Sequence, residues 1–292
     1  MSLKKNLNLL APKEMEYLKT KTSQIDVSLV VVSYKNAAVL NLCLAAIFKN
    51  IGQELSIEVI VVDGESGEEV RDLVLDNYPK VKFIPLKENI GFAGALNRGI
   101  EEAKGETVLS LNPDVIVQKG AVEALYCYAV SHPEAGLIGP MLLNFNGSRQ
   151  YSCFSFYTPI TVLYRRTFLG KIFFGKKSLK KFILRVGTKK PQSILGWLMG
   201  SALLARRDNL EKVGLMDERY FMYFEDVDWC RRFREAKLDI VYLPEAKMFH
   251  YHSKTSASKS ILSLFLNKMT FIHFTSGLKY FFKFKDWKVS SL

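Results

Sequence analysis

Between Val27 and Leu111 short β-branched runs alternate with segments of helical period. Val27–Ser33 and Ile57–Val62 are rich in valine and isoleucine and too short for buried helices, so each reads as a buried strand. Val81–Leu86 and Thr107–Leu111 repeat the pattern. Val39, Leu40, Cys43, Leu44 and Ile47 follow helical spacing, a second helical stretch runs to about Asn77, and a third, Gly91–Lys104, opens with glycines. Alternation of this kind predicts an α/β fold with a mainly parallel central sheet flanked by helices, because parallel neighbours need crossovers. Ligands of such sheets bind beyond the carboxyl ends of the strands. Ser33, Tyr34, Asp63 and Asn112-Pro113-Asp114 fall at those ends.

The second half changes character. Asn146-Gly147 predicts a hairpin turn. Gly196–Ala205 reads as strand-like, Asp226–Ala236 as an acid-started helix, Ile240–Leu243 as a strand, and the basic, aromatic tail as helical. The expected organisation is an extension over 1–25, one main α/β domain over 26–256 and a basic amphipathic tail over 257–292. A basic loop or insert occupies 158–190. The 292 residues are 48% apolar and 24% charged, which excludes a disordered chain. Cys43, Cys127, Cys153 and Cys230 are scattered without a CxxC pair and read as reduced core thiols of a cytosolic protein. No uncharged apolar run reaches 18 residues, so no transmembrane helix is expected.

Four constellations carry chemical meaning. Asn112-Pro113-Asp114 offers a carboxylate and a second oxygen ligand to a hard divalent cation, or is an ordinary turn. Glu88-Asn89-Ile90-Gly91-Phe92 leads into a glycine-rich helix start that suits an anion, or helix packing; its spacing is not the GxGxxG fingerprint. Phe221 to Trp229 sets Glu225, Asp226 and Asp228 among aromatics. An acid there is either a general base with a raised pKa or a partner of the helix dipole. His250 follows a strand, as a metal ligand or as a structural histidine. GxSxG and the P-loop are both absent, which argues against hydrolase and NTPase readings.

In this order the segments resemble the family 2 inverting glycosyltransferases, especially their rhamnosyltransferase-like branch. Val27–Tyr34 is similar to the opening strand, Glu88–Phe92 with Asn97–Ile100 to the ENxGF and NxGI segments, and Leu111–Asp114 to the LNPD form of the DXD motif. Gly214–Glu218 through Phe224–Asp228 is similar to the final acidic block. The resemblance implies a GT-A fold, a divalent metal (Mg²⁺ or Mn²⁺) and a nucleoside-diphosphate sugar with a thymidine or uridine carrier. It implies a glycan or lipid-diphosphate-linked acceptor in cell-surface polysaccharide assembly, with rhamnose favoured as the sugar. It further implies Asp226 as catalytic base and Asp114, His250 and Asn112 at the metal. Ser33, Tyr34, Asp63, Glu88, Asn89, Gly91, Phe92 and Asn97 are implied on the donor side, and Trp197, Gly200, Ser201 and Glu225 on the acceptor side. Two residues depart from the usual pattern: Gly64 follows Asp63 where relatives carry a side chain, and Asn112 lacks the charge of an acid.

The net charge is +12, from 41 basic and 29 acidic residues. Ten Lys/Arg and no acid fall in 158–190, interleaved with phenylalanines. That block is either a solvated basic face or an interfacial segment against anionic lipid. The expectation is a cytoplasmic protein, peripheral on the inner face of a membrane. No nucleic-acid module is visible, so nucleic acid is not an expected partner.

Overall fold

A computed structural model describes residues 25–166, 168–251 and 268–285. The anticipated α/β frame is present. Strands β1 (Val27–Ser33), β2 (Ile57–Asp63), β3 (Lys82–Pro85) and β4 (Thr107–Leu111) are parallel, in the order β3-β2-β1-β4. Their crossovers are α1 (Ala37–Asn50), α2 (Glu68–Asn77) and α3 (Gly91–Glu102). Asn36 caps α1 by accepting the Val39 amide at 3.1 Å. The core lies on both faces of the sheet, with α1 covering one face and α3 the other.

Beyond β4 the sheet becomes mixed. Short β5 (Val115–Val117), helix α4 (Ala121–Ser131) and β6 (Ala135–Leu143) come next. Two-residue β7 (Cys153–Phe154) precedes helices α5 (Pro159–Arg166) and α6 (Phe173–Phe182). The basic block, expected as a loop or insert, carries these two helices, and residues 184–190 after them are irregular. Strands β8 (Gln192–Ser193), β9 (Trp197–Leu198) and β10 (Ala202–Arg206) precede α7 (Arg207–Val213) and α8 (Glu225–Glu235). The chain continues through β11 (Asp239–His250) and, in the C-terminal segment, α9 (Lys268–Lys283).

The main sheet runs β3-β2-β1-β4-β10-β6-β11-β5. β10 is antiparallel to β4 and β6, and β5 is antiparallel to β11. Gly196–Ala205 is therefore two strands in different sheets: β9 pairs with β7, and the chain turns at 199–201 to enter the main sheet. Strand β11 is far longer than the expected Ile240–Leu243, because a register shift between Leu243 and Lys247 lets it continue to His250. All four cysteines are buried and none forms a disulfide. Among the described residues no helix is long and apolar enough to cross a membrane. Residues 1–24, 252–267 and 286–292 lie outside the described residues, so the N-terminal extension and parts of the tail do too.

The described part of the tail is integral to the fold. Helix α9 buries His273, Ser276, Gly277 and Tyr280. Ser276 Oγ donates to the Met222 carbonyl at 2.9 Å, and Lys283 Nζ reaches Asp217 at 2.8 Å and Asp228 at 2.6 Å. These bonds fix the segment that leads into α8. Tyr223 (φ 67°) and Phe224 (φ 69°) sit there in the left-handed region, a cost of about 1–3 kcal/mol each. Phe224 is buried against Tyr157, His273 and Tyr280, with ring centroids 4.9–5.5 Å away. Burying a phenylalanine contributes about 1.5–3 kcal/mol, enough to offset its own share of that strain.

Candidate active site

Strand register assembles the site. Ser33 lies opposite Asp63, and Leu111 opposite Ala202, so the ends of β1, β2 and β4 and the start of β10 share one edge. The Asn112 amide donates to the Ser201 carbonyl at 2.9 Å. The Gly200 amide donates to Asp226 Oδ2 at 3.0 Å. The two motifs, far apart in sequence, are thereby joined through one backbone–backbone bond and one bond from a backbone amide to the Asp226 carboxylate. A Cβ at position 200 would stand 3.0 Å from that of Asp226, so glycine permits the approach.

At the other border of the edge, β5 pairs with β11 so that His250 faces Val115, beside Asp114. The Tyr251 amide donates to the Asp114 carbonyl at 2.9 Å, and His250 Nε2 lies 3.5 Å from Asp114 Oδ1. Gln150, which the sequence reading did not identify, orients this histidine. Its amide nitrogen donates to Asn144 Oδ1 and to the His250 carbonyl, at 2.8 and 2.7 Å. That leaves Oε1 facing His250 Nδ1 at 2.9 Å. Because Oε1 can only accept, Nδ1 carries a proton, so in the neutral ring the free nitrogen is Nε2, on the side of Asp114.

The donor chemistry fits a divalent cation. Oδ1 of Asn112 and Oδ1 of Asp114 are buried and, among the described residues, lack a hydrogen-bond donor. Burial pushes the Asp114 carboxyl up to about 6, an unfavourable setting for a bare anion that a cation would relieve. No group of three His, Cys, Asp or Glu side chains forms a closed metal cage among the described residues. A carboxylate, an imidazole and an amide oxygen instead leave positions for phosphate oxygens and water, as Mg²⁺ and Mn²⁺ sites commonly do. Gln150→Leu should release the imidazole and weaken Mn²⁺ binding by about 10–100-fold, as measured by calorimetry. Unchanged affinity would remove Gln150 from the site.

Asp226 and Glu225 open α8 and face a cavity of about 360 Å³, which Asn112, Asp114, His250, Trp197 and Ser201 also line. Burial pushes Asp226 up to about 6, against the amides of Gly200 and Val227, which hold it down. Glu225 is buried, its Oε2 lacks a donor among the described residues, and desolvation together with the Asp226 charge raises its pKa well above the usual carboxylate range. The two carboxyls form one buried pair, and the stronger upward push falls on Glu225, so Asp226 is the member that ionises first. Asp228 takes no part in the cavity; it is buried and paired with Arg232 and Lys283.

The donor-side residues divide. Ser33 and Asp63 are buried at their strand ends; Asp63 accepts from the Ser66 amide and hydroxyl, at 2.8 and 2.5 Å. Tyr34 is half exposed, and hydrogen bonds from Lys35 and Asn89 lower its pKa. Gly64 faces the Tyr34 ring and Asn89, so the departure at 64 lies beside these two side chains. Glu88 is exposed, and Asn89 Oδ1 accepts from the Gly91 amide at 2.9 Å. Gly91 (φ 83°) sits against Phe221; a Cβ there would meet the Phe221 carbonyl oxygen at 2.4 Å. Phe92 donates its amide to that same oxygen and also lines the cavity. Asn97 has a different task from the one expected. It is buried, its amide nitrogen donates to Met216 O and Glu218 Oε1, and its oxygen accepts from the Met216 amide. It locks the Gly214–Glu218 segment rather than facing the cavity.

Arg165, His273 and Tyr157 also line the cavity and were not identified from sequence. Arg165 bonds the Tyr157 hydroxyl and lies over the rings of Tyr157 and Phe182, 5.5 and 5.3 Å from their centroids. His273 comes from α9 and packs on Tyr223 and Phe224. The only sequence signal for these residues was the aromatic, basic composition of their segments.

Comparison with known proteins agrees with this geometry. Residues 28–188 match the family model for glycosyl transferase family 2. The chain is 30% identical over 241 residues to the N-acetylglucosaminyl-diphospho-decaprenol L-rhamnosyltransferase of Mycobacterium tuberculosis, covering 78% of this chain and 76% of that one. It is 25% identical to the dTDP-rhamnosyl transferase RfbF of Shigella flexneri, over 68% and 61% of the two chains. Among solved structures, GalNAc-T7 with UDP, GalNAc and Mn²⁺ superposes with a TM-score of 0.60 at 15% identity, over 82% of this chain and 46% of that one. Staphylococcus aureus TarS 1–349 gives 0.55 at 14% identity, over 77% and 60%. These structural likenesses concern the fold, which is GT-A. With its strand-end site and its match to the family model and the rhamnosyltransferases, the chain belongs to glycosyl transferase family 2 and is a glycosyltransferase.

Proposed function

We propose that the protein transfers a sugar, rhamnose by preference, from a thymidine or uridine diphosphate carrier to a hydroxyl of a lipid-diphosphate-linked glycan, with inversion. The observation that carries this reading is the single cavity containing both Asp114–His250 and Asp226. The names of the mycobacterial and Shigella relatives support the sugar and the lipid-linked acceptor.

Asp114, Asn112 and His250 would hold the divalent cation, with Gln150 fixing the imidazole. When bound, the cation supplies charge neutralisation for the departing diphosphate. Ser33, Tyr34, Asp63 and Asn89 border the nucleoside cradle. Asp226, ionised above about pH 6, takes the proton from the acceptor hydroxyl as that oxygen attacks the anomeric carbon. The bond from that carbon to the diphosphate breaks as the new one forms. One displacement needs one base, and Asp226 carries that role. Glu225, buried beside Asp226 on the cavity wall, stands on the acceptor side. Gly200 and Ser201 carry the backbone link to the metal side, and Trp197 forms part of the acceptor wall.

The anomeric configuration of the product tests this directly. Proton NMR of the transferred sugar should show the configuration opposite to the donor. Retention would exclude single displacement at Asp226.

A further inference from the structure

Helix α9 has two faces. One packs on the catalytic segment through His273, Ser276, Gly277 and Tyr280. The other carries Phe271, Phe274, Leu278 and Phe282, all exposed, Phe282 by 78%. Their spacing of three, four and four residues makes one continuous stripe along the helix. A stripe of large apolar side chains in water marks a contact surface.

Helix α6 presents the same chemistry. Ile172 before it and Phe173 and Phe174 at its start are exposed, Phe173 by 73%. Lys171, Lys176, Lys177, Lys180 and Lys181 are exposed around them. The two helices meet at one aromatic wall. Phe182 of α6 touches Tyr157, Tyr157 touches Phe224, and Phe224 touches Tyr280 of α9, at 4.8, 4.9 and 5.5 Å between centroids. Tyr157 and Phe224 line the cavity that holds Asp226, so α6 and α9 both stand at its acceptor side.

We propose that the exposed faces of α6 and α9 form a docking surface for an anionic lipid bilayer, seating the acceptor side of the cavity at headgroup level. The composition favours a bilayer over a protein partner. Phenylalanines enter the acyl boundary while lysines meet the phosphates, and residues 158–190 contain no acid that anionic lipid would repel. Each lysine brought to an anionic surface strengthens binding by about fivefold. The surface deepens the lipid-linked-acceptor reading and rests on it for its use, but its binding is measured without donor or acceptor.

The test is flotation of the full chain with phosphatidylcholine vesicles, with and without phosphatidylglycerol. Wild type should float with the anionic vesicles and less at high salt. The combined variant Phe271→Ser, Phe274→Ser, Phe282→Ser should lower partitioning by about tenfold or more. The combined variant Lys176→Glu, Lys177→Glu, Lys180→Glu should remove the dependence on phosphatidylglycerol. Both should keep the wild-type melting temperature. Wild type failing to float at low salt, or both variants floating like wild type, overturns the proposal. So does a phenylalanine variant that binds normally but loses stability, since the stripe would then be covered by the chain itself, or one that binds normally but turns a dimer into a monomer. A protein that floats but transfers no sugar to a lipid-diphosphate-linked acceptor overturns the lipid-linked-acceptor reading and leaves the docking surface standing.

Discussion

Asp226→Asn is expected to cut turnover by about a thousandfold, with donor affinity changed by no more than about twofold. The amide keeps the size of the carboxylate and can still accept from the Gly200 amide, so the cavity keeps its shape. What it loses is the ability to take a proton. The same charge gives wild type its pH dependence. Burial pushes Asp226 up to about 6, so the base form and the rate should be lost as pH falls through that value. A carboxylate raised above its unfolded value costs stability as pH rises from about 4 through about 6. The variant removes that cost, and its melting temperature at pH 7 should be unchanged or higher. Turnover by stopped assay, donor binding by calorimetry and melting by circular dichroism measure the three parts. A variant with near-normal turnover would take the base role from Asp226.

Asp114→Ala is the second large expectation. Its carboxylate is the one anionic member of the proposed metal set, so the rate should fall by at least about a hundredfold. The Mn²⁺ concentration needed for half-maximal activity should rise as well, because His250 and Asn112 remain as weaker neutral ligands. Metal titration of the rate measures both. A variant that works at wild-type metal concentrations would mean that the orphan oxygens of Asn112 and Asp114 serve something other than a cation.

The parallel half of the fold was legible because β-branched runs and helical spacing are local signals. Strands β1, β2 and β4 and helix α3 lie within two residues of their expected bounds. The split of Gly196–Ala205 was not legible, because a turn at 199–201 changes the partner strand without changing the apolar composition. Helix α4 and strand β6 lie in a stretch apolar enough to fit either class of element. At the site, the motif residues Asp114, His250, Gly200 and Asp226 came together as the order of the segments implied. Asn97 stood inside a motif yet serves packing, since a buried amide satisfies backbone groups as readily as ligands. Gln150, Arg165 and His273 were hidden for the opposite reason: each gains its role only through a tertiary neighbour far away in sequence. The tail reads from its composition as a basic amphipathic helix outside the main domain, whereas Ser276 and Lys283 tie its described part to the segment that carries Asp226.

The central claim is metal-dependent transfer from a nucleoside-diphosphate sugar. A panel of such sugars, assayed with a lipid-diphosphate-linked acceptor and Mn²⁺ or Mg²⁺, tests it by release of nucleoside diphosphate. The account predicts release from one carrier class, greatest with rhamnose, abolished by chelator and restored by added metal. Release that continues undiminished in chelator, or no release from any donor in the panel, would contradict it.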